Sequence, residues 1–105
     1  MSQTVPIILR LSEDALAQLA KLEADPSQSK RLKKVRRALG LLQVNRTHPS
    51  LNIHKLRSMT QRMPNGSKAD LWEAYVENNT PGAWRIIYHL GYPGVLEVVA
   101  IVKHL

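Results

Sequence analysis

Four side chains on two strand-like segments form a set able to move protons and hold a phosphate. In ADLWEAYVEN and GAWRIIYHLGY, strand alternation puts Trp72, Ala74 and Val76 on one face and Glu73, Tyr75 and Glu77 on the other. The next segment sorts the same way, with Trp84, Ile86, Tyr88 and Leu90 on one side and Arg85, Ile87 and His89 opposite. Apolar faces belong against helices, which turns Glu73, Tyr75, Arg85 and His89 outward. An arginine binds a phosphate through two parallel N–H donors, and a histidine exchanges a proton near neutrality. Together these groups are those of RNA cleavage: a base for the 2′-OH, a cation for the extra charge on phosphorus and an acid for the leaving 5′ oxygen. General acid and base groups each supply roughly 100- to 10,000-fold, enough for a modest ribonuclease. The same pattern also describes an ordinary solvated sheet face.

A second concentration of chemistry is HPSLNIHKLRSM, His48 to Met59, with two histidines and the cations Lys55 and Arg57 in a segment that reads as loop. His48 stands before Pro49 and fits turn chemistry. His54 and Lys55 are the pair expected to face RNA, and Tyr75 is the outward aromatic able to stack on a base. The four histidines match no zinc spacing, so neither metal nor cofactor is expected.

The elements that must position these residues follow from pattern and punctuation. TVPIILRL, Thr4 to Leu11, is rich in β-branched residues and carries Pro6, which favours an edge strand. Ser12 is placed as an N-cap with Glu13 and Asp14 behind it, and a first helix runs to about Ala24 on a stripe of Leu16, Leu19 and Leu22. A second helix, about Ser27 to Val44, packs Leu32, Val35, Leu39 and Leu42 and turns Lys30, Lys33, Lys34 and Arg37 to the opposite side. Residues 46 to 68 show no period and are expected to be a long loop. Three strands in a meander close the chain, separated by Thr80-Pro81-Gly82 and Pro93-Gly94. The expected class is α+β: an N-terminal strand and two helices on one face of a four-stranded, mainly antiparallel sheet whose other face is open. Trp72, Trp84 and Tyr88 then belong to the core.

The chain of 105 residues fits one domain, 1–105. It has no cysteine, which suits a reducing cytoplasm and excludes disulfides and thiolate metal sites. No apolar run is long enough to span a bilayer, and the first residues lack the basic start of a leader, so a soluble protein that is not exported is expected. The net charge is +7, and residues 26 to 69 hold eleven of the fifteen Lys and Arg with no Asp or Glu. A segment of +11 beside a remainder of −4 points to a polyanionic partner. Nucleic acid, rRNA included, ranks ahead of a membrane surface because no apolar stripe accompanies the charges.

HPSLNIHKL followed by WEAYV, TPGAWRIIYHL and a near-terminal histidine resembles the RelE/ParE superfamily of toxins from toxin–antitoxin systems, most of all its RelE-type branch. The resemblance covers most of the chain and is most specific at the loop and at WRIIY. It implies a ribosome-dependent mRNA endoribonuclease held inactive by a cognate antitoxin. It also implies Arg85 at the phosphate, His104 in proton transfer as in the YoeB- and YafQ-like toxins, and His54 and Lys55 reaching RNA. Two departures stand out. Leu105 follows His104 where the YoeB-like pattern has Tyr, and Glu73 and Tyr75 occupy a strand that carries lysines in RelE, so Glu73 is assigned here as a base. The ridge Lys30, Lys33, Lys34 and Arg37 would contact rRNA, and Leu41 and Val44 would pack under the loop or receive an antitoxin segment. An antitoxin covering this charge should be acidic where it binds. The alternatives are a non-catalytic ParE-like toxin that inhibits DNA gyrase, and an inactive member that binds RNA or antitoxin.

Overall fold

The computed structural model describes residues 7–77 and 82–103. Strand β1 (Ile8–Leu11) leads through Ser12 into helix α1 (Glu13–Ala24). The Ser12 side chain accepts from the Ala15 N–H at 3.2 Å, and Glu13 and Asp14 occupy the first turn as expected of an N-cap. Asp25 ends α1 and caps a short 3-10 turn, Pro26–Gln28, before helix α2 (Ser29–Val44), so the second helix starts two residues later than its pattern indicated. A second 3-10 turn, Pro49–Leu51, is capped by His48, whose Nδ1 accepts from the Ser50 N–H at 3.2 Å. That is the turn role its place before Pro49 predicted.

The sheet has five strands, not four, in the order β1-β5-β4-β3-β2. The added strand is β2 (His54–Arg62), which lies inside the segment expected to be a loop and pairs antiparallel with β3 (Lys68–Tyr75). Strands β4 (Trp84–His89) and β5 (Val95–Lys103) continue the antiparallel meander, and β1 adds parallel to β5 at the far edge. Pro6, His104, Leu105 and the Thr80-Pro81 part of one predicted turn lie outside the described residues.

Two glycines shape the turns. Gly66 closes the β2–β3 hairpin at φ 87°, donating to the Met63 carbonyl oxygen at 2.9 Å, in a three-residue loop of the kind that needs a left-handed residue. Gly94 follows Pro93 at φ 73°, and the Val95 N–H donates to the Tyr92 carbonyl oxygen across that turn.

Both helices cover one face of the sheet. Ala15 and Leu22 of α1 and Val35, Ala38, Leu39 and Leu42 of α2 pack on Ala74, Ile86, Tyr88, Leu96, Val98 and Ile101. Trp72 and Trp84 are half-buried at the margin of this core, on the predicted side. The α1 stripe is turned from its expected centre. Ala15, Leu19 and Leu22 face inward, whereas Leu16 is 53% exposed. Gln18 fixes that rotation by accepting from the Ile101 N–H on β5 at 2.7 Å. On α2, Leu41 packs against the core and Val44 is exposed.

Candidate active site

The face opposite the helices carries the cluster. Cross-strand register sets Glu73 between His54 on β2 and Ile87 on β4, and Tyr75 beside Arg85. Residues directly opposite each other share a face, so His54, Glu73, Tyr75 and Arg85 converge on the open side of the sheet.

Glu73 is the hub. Its Oε1 lies 2.6 Å from Arg85 Nη1 and 2.7 Å from His54 Nε2. The Glu73 and Arg85 side chains are only 8% and 13% exposed, while His54 is 46% exposed and forms the solvent-facing side of the group. His54 also directs Nδ1 at the Asn52 carbonyl oxygen, 3.2 Å away. Both of its neighbours are acceptors, so each ring nitrogen lies within reach of an oxygen to which it can donate. Asn52 presents that carbonyl from a left-handed conformation at φ 45°, which asparagine tolerates better than most residues.

Tyr75 buttresses the cationic side. The Arg85 guanidinium sits 4.4 Å from the Tyr75 ring centroid, and the His54 ring meets Tyr75 edge-on at 5.8 Å. Its ring therefore supports Arg85 on one face and is not the freely exposed stacking surface that alternation alone implied. The Arg85 Nε is buried without a hydrogen-bond partner among the described residues. Guanidinium capacity thus remains beyond the bond to Glu73.

His89 shares this face but not this environment. It is buried to 1% exposure, its Nδ1 accepts from the Gly91 N–H at 3.0 Å, and its Nε2 donates to Glu97 Oε1 at 2.9 Å. Glu97 in turn holds Arg10, whose guanidinium covers Tyr92. With both ring nitrogens engaged inside the protein, His89 serves the packing of β1, β4 and β5 rather than standing outward.

The other sequence candidates divide by position. Lys55 is paired in register with Trp72, which puts it on the helix side of the sheet, 3.9 Å from Asp70. Arg57 is exposed on β2. Lys30, Lys33, Lys34 and Arg37 are exposed on α2, across the sheet from the Glu73 cluster. Lys34 faces Glu77 at 3.9 Å and Arg37 donates to Ser50 Oγ at 3.3 Å.

A depression of about 200 Å³ adjoins the cluster, bordered by Leu56, Met59, Ile87 and Val102 together with Glu73, Arg85 and Lys103. Leu56 and Met59 reach it from an irregularity in β2: the five steps from Lys55 to Thr60 oppose only the two from Trp72 to Asp70 on β3. Such bulges re-aim side chains. Alternation on β4 had placed Ile87 on this face but gave no sign of Leu56 and Met59, although Pro64-Asn65-Gly66 is a hairpin signal after the strand that carries them. Two larger depressions, about 270 and 340 Å³, do not touch Glu73, His54 or Arg85.

No protein-family model and no curated protein matches the chain. Solved structures do. A YoeB/ParE toxin from Agrobacterium tumefaciens superposes with a TM-score of 0.66 at 11% identity, over 94% of this chain and 100% of that one. A YoeB dimer from Staphylococcus aureus gives 0.61 at 13% identity, over 96% and 100%. A copper-bound mutant toxin from Helicobacter pylori gives 0.56 at 16% identity, over 93% and 94%. At these identities the likeness establishes architecture alone: this chain shares the fold of these solved structures.

Proposed function

We propose that this protein is the toxin of a toxin–antitoxin pair and that it cleaves messenger RNA, on the ribosome, by transfer of the phosphate to the neighbouring 2′ oxygen. One observation carries the reading: a single carboxylate oxygen of Glu73 within hydrogen-bond distance of both an arginine and a histidine on the uncovered sheet face. The toxin fold supports the biological setting, and the acid-free basic segment supports an RNA partner.

In this reading Glu73 takes the proton of the 2′-OH as the 2′ oxygen attacks phosphorus. Arg85 turns its donors to the non-bridging oxygens and stabilises their added charge. His54 gives the proton on Nε2 to the departing 5′ oxygen. The products are a 2′,3′-cyclic phosphate and a 5′-OH. Glu73 is left protonated and His54 neutral, and a direct proton transfer across their 2.7 Å contact restores the starting pair. His104 is a further proton carrier by resemblance; it follows Lys103, and Val102 two residues before it pairs with Arg85. Lys55, Arg57 and the α2 ridge of Lys30, Lys33, Lys34 and Arg37 hold RNA through its phosphates, the ridge reaching rRNA from the far side of the molecule. The antitoxin partner carries an acidic segment, and the reaction belongs to the cytoplasm.

The test is transcript 5′-end mapping after brief induction in bacteria, comparing the native chain with Arg85→Ala, Glu73→Gln and His104→Ala. New ends within translated regions that fall at least about 100-fold in Arg85→Ala and Glu73→Gln are expected. Growth arrest without new ends would replace this reading with a gyrase-directed or other binding toxin, and unaffected growth would mark an inactive member.

A further inference from the structure

We propose that the depression beside Arg85 is a subsite for one nucleobase of single-stranded RNA, with the bulged β2 residues Leu56 and Met59 as its apolar wall. This rests on the ribonuclease reading and adds to it what reads the sequence around the cut.

A nucleotide joins a flat apolar base to an anionic phosphate. The depression has the same division: apolar Leu56, Met59, Ile87 and Val102 at its border, with Arg85 and its partner Glu73 on the charged side. Its volume of about 200 Å³ is that of a base rather than of a longer stretch of chain. Met59 is 55% exposed between Ser58 and Thr60, and a flexible thioether suits a planar, variable ligand.

Elimination strengthens the assignment, because single-stranded RNA is usually gripped by stacking on aromatic rings. Here the five aromatic residues are otherwise engaged. Trp72 and Trp84 pack on the helix side, Tyr88 is buried, Tyr92 carries Arg10 and Tyr75 carries Arg85. The apolar surface beside Arg85 is the one that Leu56 and Met59 of the β2 bulge form with Ile87 and Val102. An apolar wall sorts ligands by shape, so the expected selectivity is between purine and pyrimidine at one position next to the cut.

The experiment compares the native protein with Met59→Ala, Met59→Leu, Arg85→Ala and, as a remote control, Leu16→Ala on the exposed side of α1. It measures the base distribution at mapped 5′ ends in cells, and the binding of uncleavable 2′-O-methyl trinucleotides of varied sequence to the purified chains. Met59→Ala is expected to flatten the base preference at one position flanking the cut and to weaken the preferred trinucleotide about tenfold. Met59→Leu and Leu16→Ala should keep both. An unchanged base distribution in Met59→Ala, while Arg85→Ala still abolishes the ends, overturns the subsite and leaves the nuclease intact. Weakened antitoxin binding in Met59→Ala with an unchanged base distribution assigns the depression to protein and overturns it equally. Absence of new ends in every chain removes the nuclease reading and the subsite with it.

Discussion

At the scale of single residues, Glu73 decides what the site is. A carboxylate nearly removed from solvent and held by Arg85 and His54 is a paired charge, and removing it strands a largely buried guanidinium. Glu73→Ala is therefore expected to destabilise the fold by about 3 kcal/mol in urea unfolding. His54→Ala should cost about 1 kcal/mol or less, since its partner stays paired with Arg85 and the ring is half in water. Equal losses in the two variants would contradict the hub arrangement. Alternation in the sequence already put Glu73, Tyr75, Arg85 and His89 on one face. It could not show that Glu73 and His89 are buried, because their burial comes from partners set by register: His54 on a strand without a visible pattern, and Glu97 from β5.

Among the elements, β2 explains both what the pattern missed and where the candidate pocket comes from. HKLRSMTQR has neither clean alternation nor an apolar face. An edge strand wet on both sides needs none, and a bulge between Lys55 and Thr60 breaks the period that remains. By contrast α1, α2, β3 and β4 are legible because each buries one side, and β5 because VLEVVAIVK is a β-branched run after a Pro-Gly turn. Their ends shift by a few residues where caps, such as Asp25 before Pro26, override periodicity. The hairpin that makes β2 possible depends on Gly66 at positive φ, where a Cβ costs roughly 1–2 kcal/mol. Gly66→Val is expected to accelerate amide exchange along Arg62 and Lys68 while leaving the β4 and β5 amides protected. Uniform acceleration across the sheet would mean that β2 folds as one unit with the core instead of as a separable edge.

Over the whole molecule, two faces divide the work. One buries the apolar core under α1 and α2 and turns the α2 cations outward, and the other carries the Glu73 cluster, with no helix of the described residues over it. The charge asymmetry and the separation of the α2 ridge from the open face were legible in the sequence, but the place of Lys55 was not, since its register with Trp72 puts it on the helix side. The same division bears on alkaline stability through Tyr88. Tyr88 lies on the helix side at 2% exposure, and burial pushes its hydroxyl from 10.0 up to about 12, against a smaller pull downward from the Arg46 charge. Between those values the unfolded chain releases a proton that the folded chain keeps, so rising pH favours unfolding. The contribution is fully present below the unfolded value of 10.0 and is lost as pH passes the folded value of about 12, a difference of about 3 kcal/mol. Urea midpoints measured from about pH 9 to about pH 12 should fall steeply for the native chain and much less for Tyr88→Phe, which has no hydroxyl to ionise. Parallel declines would place the alkaline weakness in the exposed lysines instead, and would mean that water reaches Tyr88 beneath the helices.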